Sequence, residues 1–205
     1  NKNYQEVTTN VVKYMDKINK LNQTNYKPFN YYGDPKATSV IIAMGSVCAT
    51  IKETIDYLNT KNGKYGLIEV HLYRPFSTSH LIEELPKTVT KVAVLDRTKE
   101  PAANGEPLYL DVVEALKGKN ITIIGGRYGL SSKNTTPAQI KAVYEFLNSK
   151  SVHHNFTIGI EDDVTNLSLK VDENFHIPSN KTEFLIYGYG SDGMVSTSKD
   201  LIKII

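Results

Sequence analysis

Cysteine is nearly absent from this sequence: of its 205 residues, only Cys48 is one. A single cysteine excludes an intramolecular disulfide and favours a reducing compartment, here the cytoplasm. No apolar run approaches the ~18 residues of a membrane span. The polar N-terminus, NKNYQEVTTN, does not resemble a signal peptide. It also lacks an initiator methionine, which suggests a piece of a longer chain.

The sequence also lacks a large excess of charge of either sign. The net charge is +2, and lysine and arginine are interspersed with aspartate and glutamate. This distribution argues against a nucleic-acid or membrane partner. Hydrophobic residues make up 40% of the chain, enough for a sizeable buried core.

What is present is a regular alternation of apolar runs and amphipathic segments. Helical patterns occupy the intervals between the runs, and Thr136 and Pro137 provide an N-cap and a first helical residue. The pattern predicts an α/β fold: an open, mainly parallel, five-stranded sheet with helices on both faces. The predicted strands are 39–45, 65–73, 91–96, 120–126 and 155–160.

Two segments flank this body. A helix is predicted at 7–21, followed by an aromatic linker at 25–38 that either straps across the same domain or contacts a neighbouring one. After a polar linker ending near Asn180, the run 182–187 predicts a sixth strand that opens a new βα unit.

Three arginines follow predicted strands: Arg74, Arg97 and Arg127. Ligands of open α/β sheets bind at this carboxyl edge, so these arginines could hold phosphates or carboxylates, or pair with another domain. The alternative is pairing within the domain, Arg97 with Glu100 and Arg74 with Glu69 or Glu106. A structural or interdomain role is favoured.

Other polar groups are weaker candidates. Ser46 begins a helix, where free backbone amides could hold an anion or the serine could simply cap. Cys48 is expected to be structural. The pair Asp162-Asp163 is expected to cap a turn, and His153-His154 to lie in a surface loop. No catalytic set and no metal site is predicted.

The glycine turn GYGSDG near the C-terminus is the best phosphate candidate, since glycines let the backbone approach an anion. A charged Asp192 inside it would oppose a phosphate unless it caps the following helix or binds a hydroxyl. The candidate ligand-binding residues are Gly188, Gly190, Ser191, Asp192, Gly193 and Lys199.

Taken in order, several strings resemble the pyruvate:ferredoxin (flavodoxin) oxidoreductase family. They include VIIAMGSV, VHLYRPFS, VLDRTKEP, GEPLYLDVV, IIGGRYGLSSK and YGYGSDG. The resemblance implies that 1–37 is the tail of a preceding domain with the aromatic linker. It implies that 38–178 is a domain like the C-terminal domain of transketolase, and that 179–205 is the first βα unit of a domain contacting coenzyme A.

The family oxidises pyruvate with coenzyme A to acetyl-CoA and CO₂. The resemblance implies thiamine diphosphate, Mg²⁺, [4Fe-4S] clusters and coenzyme A for the full enzyme, a homodimer, with no cofactor held by this fragment. Asn22-Gln23-Thr24 and Ala102 depart from the family pattern, which puts an interdomain arginine and a glycine turn in doubt.

We therefore expect a non-catalytic, architectural fragment of such an enzyme, whose partners are the other domains of the same chain. One alternative is the same core in a pyruvate:NADP⁺ oxidoreductase fusion. An alternative from another class is a stand-alone α/β module that binds a phosphorylated ligand through the arginines and glycines.

Overall fold

The computed structural model describes residues 2–160, 164–180, 182 and 184–205. The strands are β1 Phe29–Gly33, β2 Ser39–Ala43, β3 Tyr65–Val70, β4 Lys91–Asp96, β5 Thr122–Arg127 and β6 Phe156–Thr157. The helices are α1 Lys2–Asn22, α2 Val47–Asn59, α3 Thr78–Glu84, α4 Pro107–Ala115, α5 Pro137–Leu147 and α6 Met194–Ile204.

The strands form one sheet in the order β1-β3-β2-β4-β5-β6. Strands β2 to β6 are parallel, so their carboxyl ends meet at one edge. Helices α2 and α5 pack on one face around Ile51 and Tyr144, and α3 and α4 pack on the other around Leu81 and Leu108. The predicted class, a mainly parallel α/β sheet covered on both faces, is confirmed.

The strand count differs from the prediction because the aromatic linker contributes β1, which pairs antiparallel with β3. Phe29 is fully buried and meets the Phe76 ring edge-on at 5.3 Å. Tyr31 lies over Gly66 and its hydroxyl donates to the carbonyl of Asp34. Burial, with the charge of Asp34, raises the pKa of Tyr31 to about 12. The linker therefore packs on this domain, which is the first of the two alternatives given for it.

Helix starts follow local chemistry only in part. Thr136 caps α5 as predicted, because its hydroxyl accepts the Gln139 N–H while the Gln139 side chain accepts the Thr136 N–H. Ser77 precedes α3, but its hydroxyl bonds the His80 ring at 2.6 Å and caps nothing. Ser46 likewise makes no side-chain capping bond to α2.

The predicted strand at 182–187 is wrong for the described part of that run, which has no regular structure before α6. No residue of α6 is buried. A strand requires a neighbour for its backbone groups, and the apolar run here has none within the described chain.

The pair Asp162-Asp163 lies outside the described residues. Among the helices that are described, none has both the length and the apolar character that a bilayer crossing requires.

Candidate functional site

Arg74 lies just beyond β3 at the carboxyl edge of the sheet. Its guanidinium stacks on the Tyr73 ring at 3.8 Å, and Nη1 donates to the Asp111 carboxylate at 2.7 Å. The side chain is 55% exposed. Arg74 therefore pairs within the domain, but with Asp111 of α4 and not with Glu69 or Glu106 as the alternative interpretation had it. Stacking and pairing together hold the guanidinium in one orientation at the surface.

Arg127 ends β5 and is paired with a buried carboxylate. Its Nε lies 2.5 Å from Oε1 of Glu106, with side-chain exposures of 12% and 1%. Within the described chain, the second oxygen of Glu106 is buried and makes no hydrogen bond. Removing two charges from water is costly, so this pair depends on mutual neutralisation.

Asp96 ends β4 and also faces α4. Its carboxylate accepts the backbone N–H groups of Leu108 at 3.0 Å and Tyr109 at 3.1 Å, which satisfies the first turn of that helix. Burial raises the pKa of Asp96 because the charged form loses hydration, and the two backbone donors oppose this shift. An aspartate at a strand end before a proline-initiated helix was the sequence signal for this contact.

Arg97 directly follows Asp96 at the end of β4. Its Nε donates to the carbonyl of Gly129 at 3.2 Å, in the loop after β5. The side chain is exposed. Glu100, its partner in the alternative interpretation, instead uses its backbone N–H to donate to Glu106 at 3.5 Å. The three arginines thus share one edge, yet each has a different local partner.

His154 lies in the loop before β6, as predicted, but its ring is partly buried and makes specific contacts. Gly125 N–H donates to Nδ1 at 3.0 Å, which places the proton of the neutral ring on Nε2, 3.1 Å from the carbonyl of Asn104. The ring stacks on Tyr109 at 4.1 Å. A Cβ at Gly125 would lie 2.8 Å from this ring, so glycine is required there. His154 therefore ties the loop before α4 to β5.

Cys48 is structural, as predicted. The side chain is 1% exposed in the first turn of α2. Burial, together with the nearby charge of Glu69, raises the pKa of the thiol to about 12. A thiol of this kind is protonated at neutral pH and a poor nucleophile or ligand. The described residues contain no group of three or more histidine, cysteine or acidic side chains that could hold a metal.

The glycine turn leads directly into α6. Asp192 accepts the N–H groups of Tyr189 at 2.7 Å and of Met194, the first residue of the helix, at 3.0 Å. These hydrogen bonds, from Met194 first, lower the pKa of Asp192. The aspartate precedes Gly193, the N-cap of α6, and its carboxylate accepts the N–H of the first helical residue. Gly190 and Gly193 have positive φ and open space around them.

Comparison with known proteins identifies relatives of this chain. The model of pyruvate:ferredoxin oxidoreductase core domain II matches residues 37–140. The pyruvate-flavodoxin oxidoreductase of Trichormus variabilis is 51% identical over 199 residues, covering 94% of this chain and 17% of that protein. The pyruvate:ferredoxin oxidoreductase of Moorella thermoacetica is 47% identical over 198 residues, covering 95% and 17%. The chain thus spans 17% of the length of these two relatives.

A solved structure is also similar, the 2-oxoglutarate:ferredoxin oxidoreductase from Magnetococcus marinus with 2-oxoglutarate, coenzyme A and succinyl-CoA bound. It shares 19% identity at a TM-score of 0.41, covering 66% of this chain and 23% of that one. A likeness at this level says nothing about function.

Proposed function

The chain belongs to the pyruvate:ferredoxin oxidoreductase family, and from this membership we propose that it serves as the second core domain of an enzyme that converts pyruvate and coenzyme A to acetyl-CoA and CO₂. The observation that supports this role is the family match across 37–140, the part that contains β2 to β5. The domain boundaries we propose are 1–37, 38–178 and 179–205.

We propose that the role of this segment is architectural. Two of the three strand-edge arginines and the carboxylates Asp96 and Glu106 are engaged within the fold, which supports a structural role for this edge of the sheet. Other segments of the longer enzyme would contact this edge, with Arg74, Arg97 and Arg127 as interdomain candidates. The exposed guanidinium of Arg74, fixed by Tyr73 and Asp111, is preorganised for such a contact.

The cofactors of the family divide between this segment and the others. An iron–sulfur cluster does not fit this chain, because clusters are held by several cysteine thiolates and the one cysteine here is buried. We propose that thiamine diphosphate, Mg²⁺ and the clusters are held elsewhere in a homodimeric, cytoplasmic enzyme. When bound there, thiamine diphosphate would supply the carbanion chemistry of decarboxylation.

We propose that coenzyme A is the cofactor that this segment contacts. We propose that the turn 188–193 approaches its phosphates at Gly190 and Gly193, where an added Cβ would meet nothing within 4 Å, whereas the N–H groups of Tyr189 and Met194 already donate to Asp192. Lys199, exposed on α6, would supply the positive charge. Ser191 also has positive φ, which keeps the turn tight.

The coenzyme A contact is tested in the full-length enzyme. We expect Lys199→Ala to raise the KM for coenzyme A about tenfold, because a charge-assisted phosphate contact is lost, and to leave the KM for pyruvate unchanged. Lys203→Ala is the matched control: it lies on the same helix but pairs with Asp200 at 3.2 Å. An equal rise in both KM values would contradict the proposal.

The architectural role is tested with the 205-residue chain itself. We expect the purified chain to show neither pyruvate oxidation with an artificial electron acceptor nor visible absorbance from an iron–sulfur cluster. Turnover by this chain alone would overturn the proposed role while leaving family membership intact.

A further inference from the structure

A polar cleft opens at the carboxyl edge of the sheet, separate from the glycine turn 188–193. Its volume is about 230 Å³, enough for a small anion and its first hydration water. It is bounded by the start of α2, by Arg97 after β4, and by the loop 128–135 after β5. Among the described residues that line it, none is a carboxylate.

The cleft lies where the direction of the chain changes across the sheet. Strands β2 and β4 are neighbours, yet the chain leaves β2 for α2 on one face and leaves β4 for α4 on the other. The two loops therefore diverge and leave a crevice between them. In open α/β sheets this switch point is the usual place for a ligand.

Arg97 gives the cleft its charge. The guanidiniums of Arg74 and Arg127 each have a carboxylate partner, whereas the described bond of Arg97 is from Nε to the carbonyl of Gly129. The aliphatic part of the Arg97 side chain packs against Gly129. A Cβ added at Gly129 would lie 3.1 Å from Nε of Arg97. The side chain is thereby oriented while both Nη atoms remain available as a bidentate donor pair.

The walls add further donors. Tyr128 is almost fully buried, and its hydroxyl reaches the carbonyl of Met44 only at 3.4 Å. Ser46 leaves its hydroxyl unused by the helix it precedes, and Thr50 lies one turn further into α2. A guanidinium and hydroxyl donors facing one small space are the chemistry of phosphate recognition.

We propose that this cleft binds phosphate, as the free dianion or as the terminal group of a phosphate monoester, with Arg97 as the principal ligand. The Nη atoms of Arg97 contact two phosphate oxygens. The backbone N–H groups of Ser46 and Val47, at the start of α2, approach a third. The site goes beyond the proposed function, because it uses none of the residues assigned to coenzyme A and it assigns Arg97 to a phosphate instead of an interdomain contact.

The test is a phosphate titration of the 205-residue chain followed by ¹H–¹⁵N NMR at constant ionic strength. We expect saturable shifts at the amides of Ser46, Val47 and Gly129. Arg97→Ala should weaken phosphate binding about tenfold or more, since it removes a bidentate charged contact. Arg97→Lys, which keeps the charge but not the planar fork, should fall between. Arg74→Ala, at the same edge outside the cleft, is the control and should bind normally.

Sodium chloride and sodium acetate at equal ionic strength are the comparison anions. Shifts at the cleft that saturate with phosphate alone support the proposal. Equal shifts with chloride or acetate would overturn it, because they would indicate a general anion effect or a carboxylate site. Unchanged phosphate affinity in folded Arg97→Ala would also overturn it. If Arg97→Ala fails to fold, the comparison of Arg97→Lys with Arg74→Ala decides in the same way.

Discussion

At the scale of single residues, the buried pair of Glu106 and Arg127 is expected to contribute strongly to stability. Glu106→Gln keeps the size of the side chain but leaves the Arg127 charge without its direct counterion in a site where the two side chains are 1% and 12% exposed. We expect a loss of about 3 kcal/mol in the free energy of unfolding, because an uncompensated buried charge is costly. Urea unfolding followed by circular dichroism measures it.

Glu114→Gln is the matched control for this prediction. Glu114 also lies on α4 and carries the same charge, but it pairs with Lys117 at the surface, where both side chains are 78% exposed. Exposed ion pairs contribute little, so the change should be within about 0.5 kcal/mol. Similar losses for the two variants would show that enclosure is not what makes the Glu106 pair stabilising.

The thiol of Cys48 provides a second prediction at this scale. Because its pKa is raised to about 12 in the folded chain, the reactive thiolate is scarce at pH 9. In the unfolded chain the pKa returns to about 8.5, and most of the thiol is then ionised. We expect iodoacetamide at pH 9 to leave the native thiol intact and to alkylate it rapidly in urea. Mass spectrometry measures the rate of alkylation. Fast alkylation of the native chain would contradict the burial of Cys48.

The arginines and histidines mark the limit of prediction from sequence at this scale. Strand-end positions placed Arg74, Arg97 and Arg127 at one edge correctly, because parallel strands share a direction. The alternative partners, Glu100 for Arg97 and Glu69 or Glu106 for Arg74, are not the ones observed. Arg74 bonds Asp111, 37 positions away, and His154 bonds Asn104, 50 positions away. Such contacts depend on how loops from different strands meet.

At the scale of elements, α5 shows local signals acting together. Thr136 and Gln139 form a reciprocal capping box, with Pro137 as the first helical residue. We expect Thr136→Ala to lower the free energy of unfolding by about 1 kcal/mol, since a backbone N–H of the first turn loses its acceptor. Thermal unfolding measures it. Thr135→Ala, one residue earlier and outside the box, should change stability much less, and an equal loss would argue against the cap.

The same scale explains why β1 was missed and the strand at 182–187 was overpredicted. Helix α5 and strands β2 to β5 were recognisable because periodicity and caps are local. The segment of β1 is short, flanked by prolines, and becomes a strand because it pairs with β3 at the sheet edge. The run at 182–187 has strand-forming residues, but pairing decides strand formation, and the described chain supplies no partner to it.

At the scale of the whole molecule, two parts of the chain differ in their packing. The sheet and its four covering helices bury Phe29, Tyr144 and Phe156 completely. The segment that follows residue 184 leaves large apolar side chains in water, including Leu185 and Ile204. Exposed apolar surface of this kind marks an interaction site. This contrast agrees with the proposal that 179–205 belongs to a unit completed by other segments of a longer enzyme.

Limited proteolysis with chymotrypsin should reveal this difference. Tyr187 and Tyr189 are 82% and 103% exposed and precede a helix with no buried residue, so cleavage requires little unfolding there. We expect the first cuts at these two tyrosines, leaving a resistant product that retains β1 to β6. In the full-length enzyme the same bonds should resist, because covering the apolar side chains of α6 would also hold the preceding turn. Mass spectrometry of early products identifies the sites. First cuts within the sheet would contradict the difference in packing. Equally fast cleavage at the two tyrosines in the full-length enzyme would show that this segment is not completed by a neighbour.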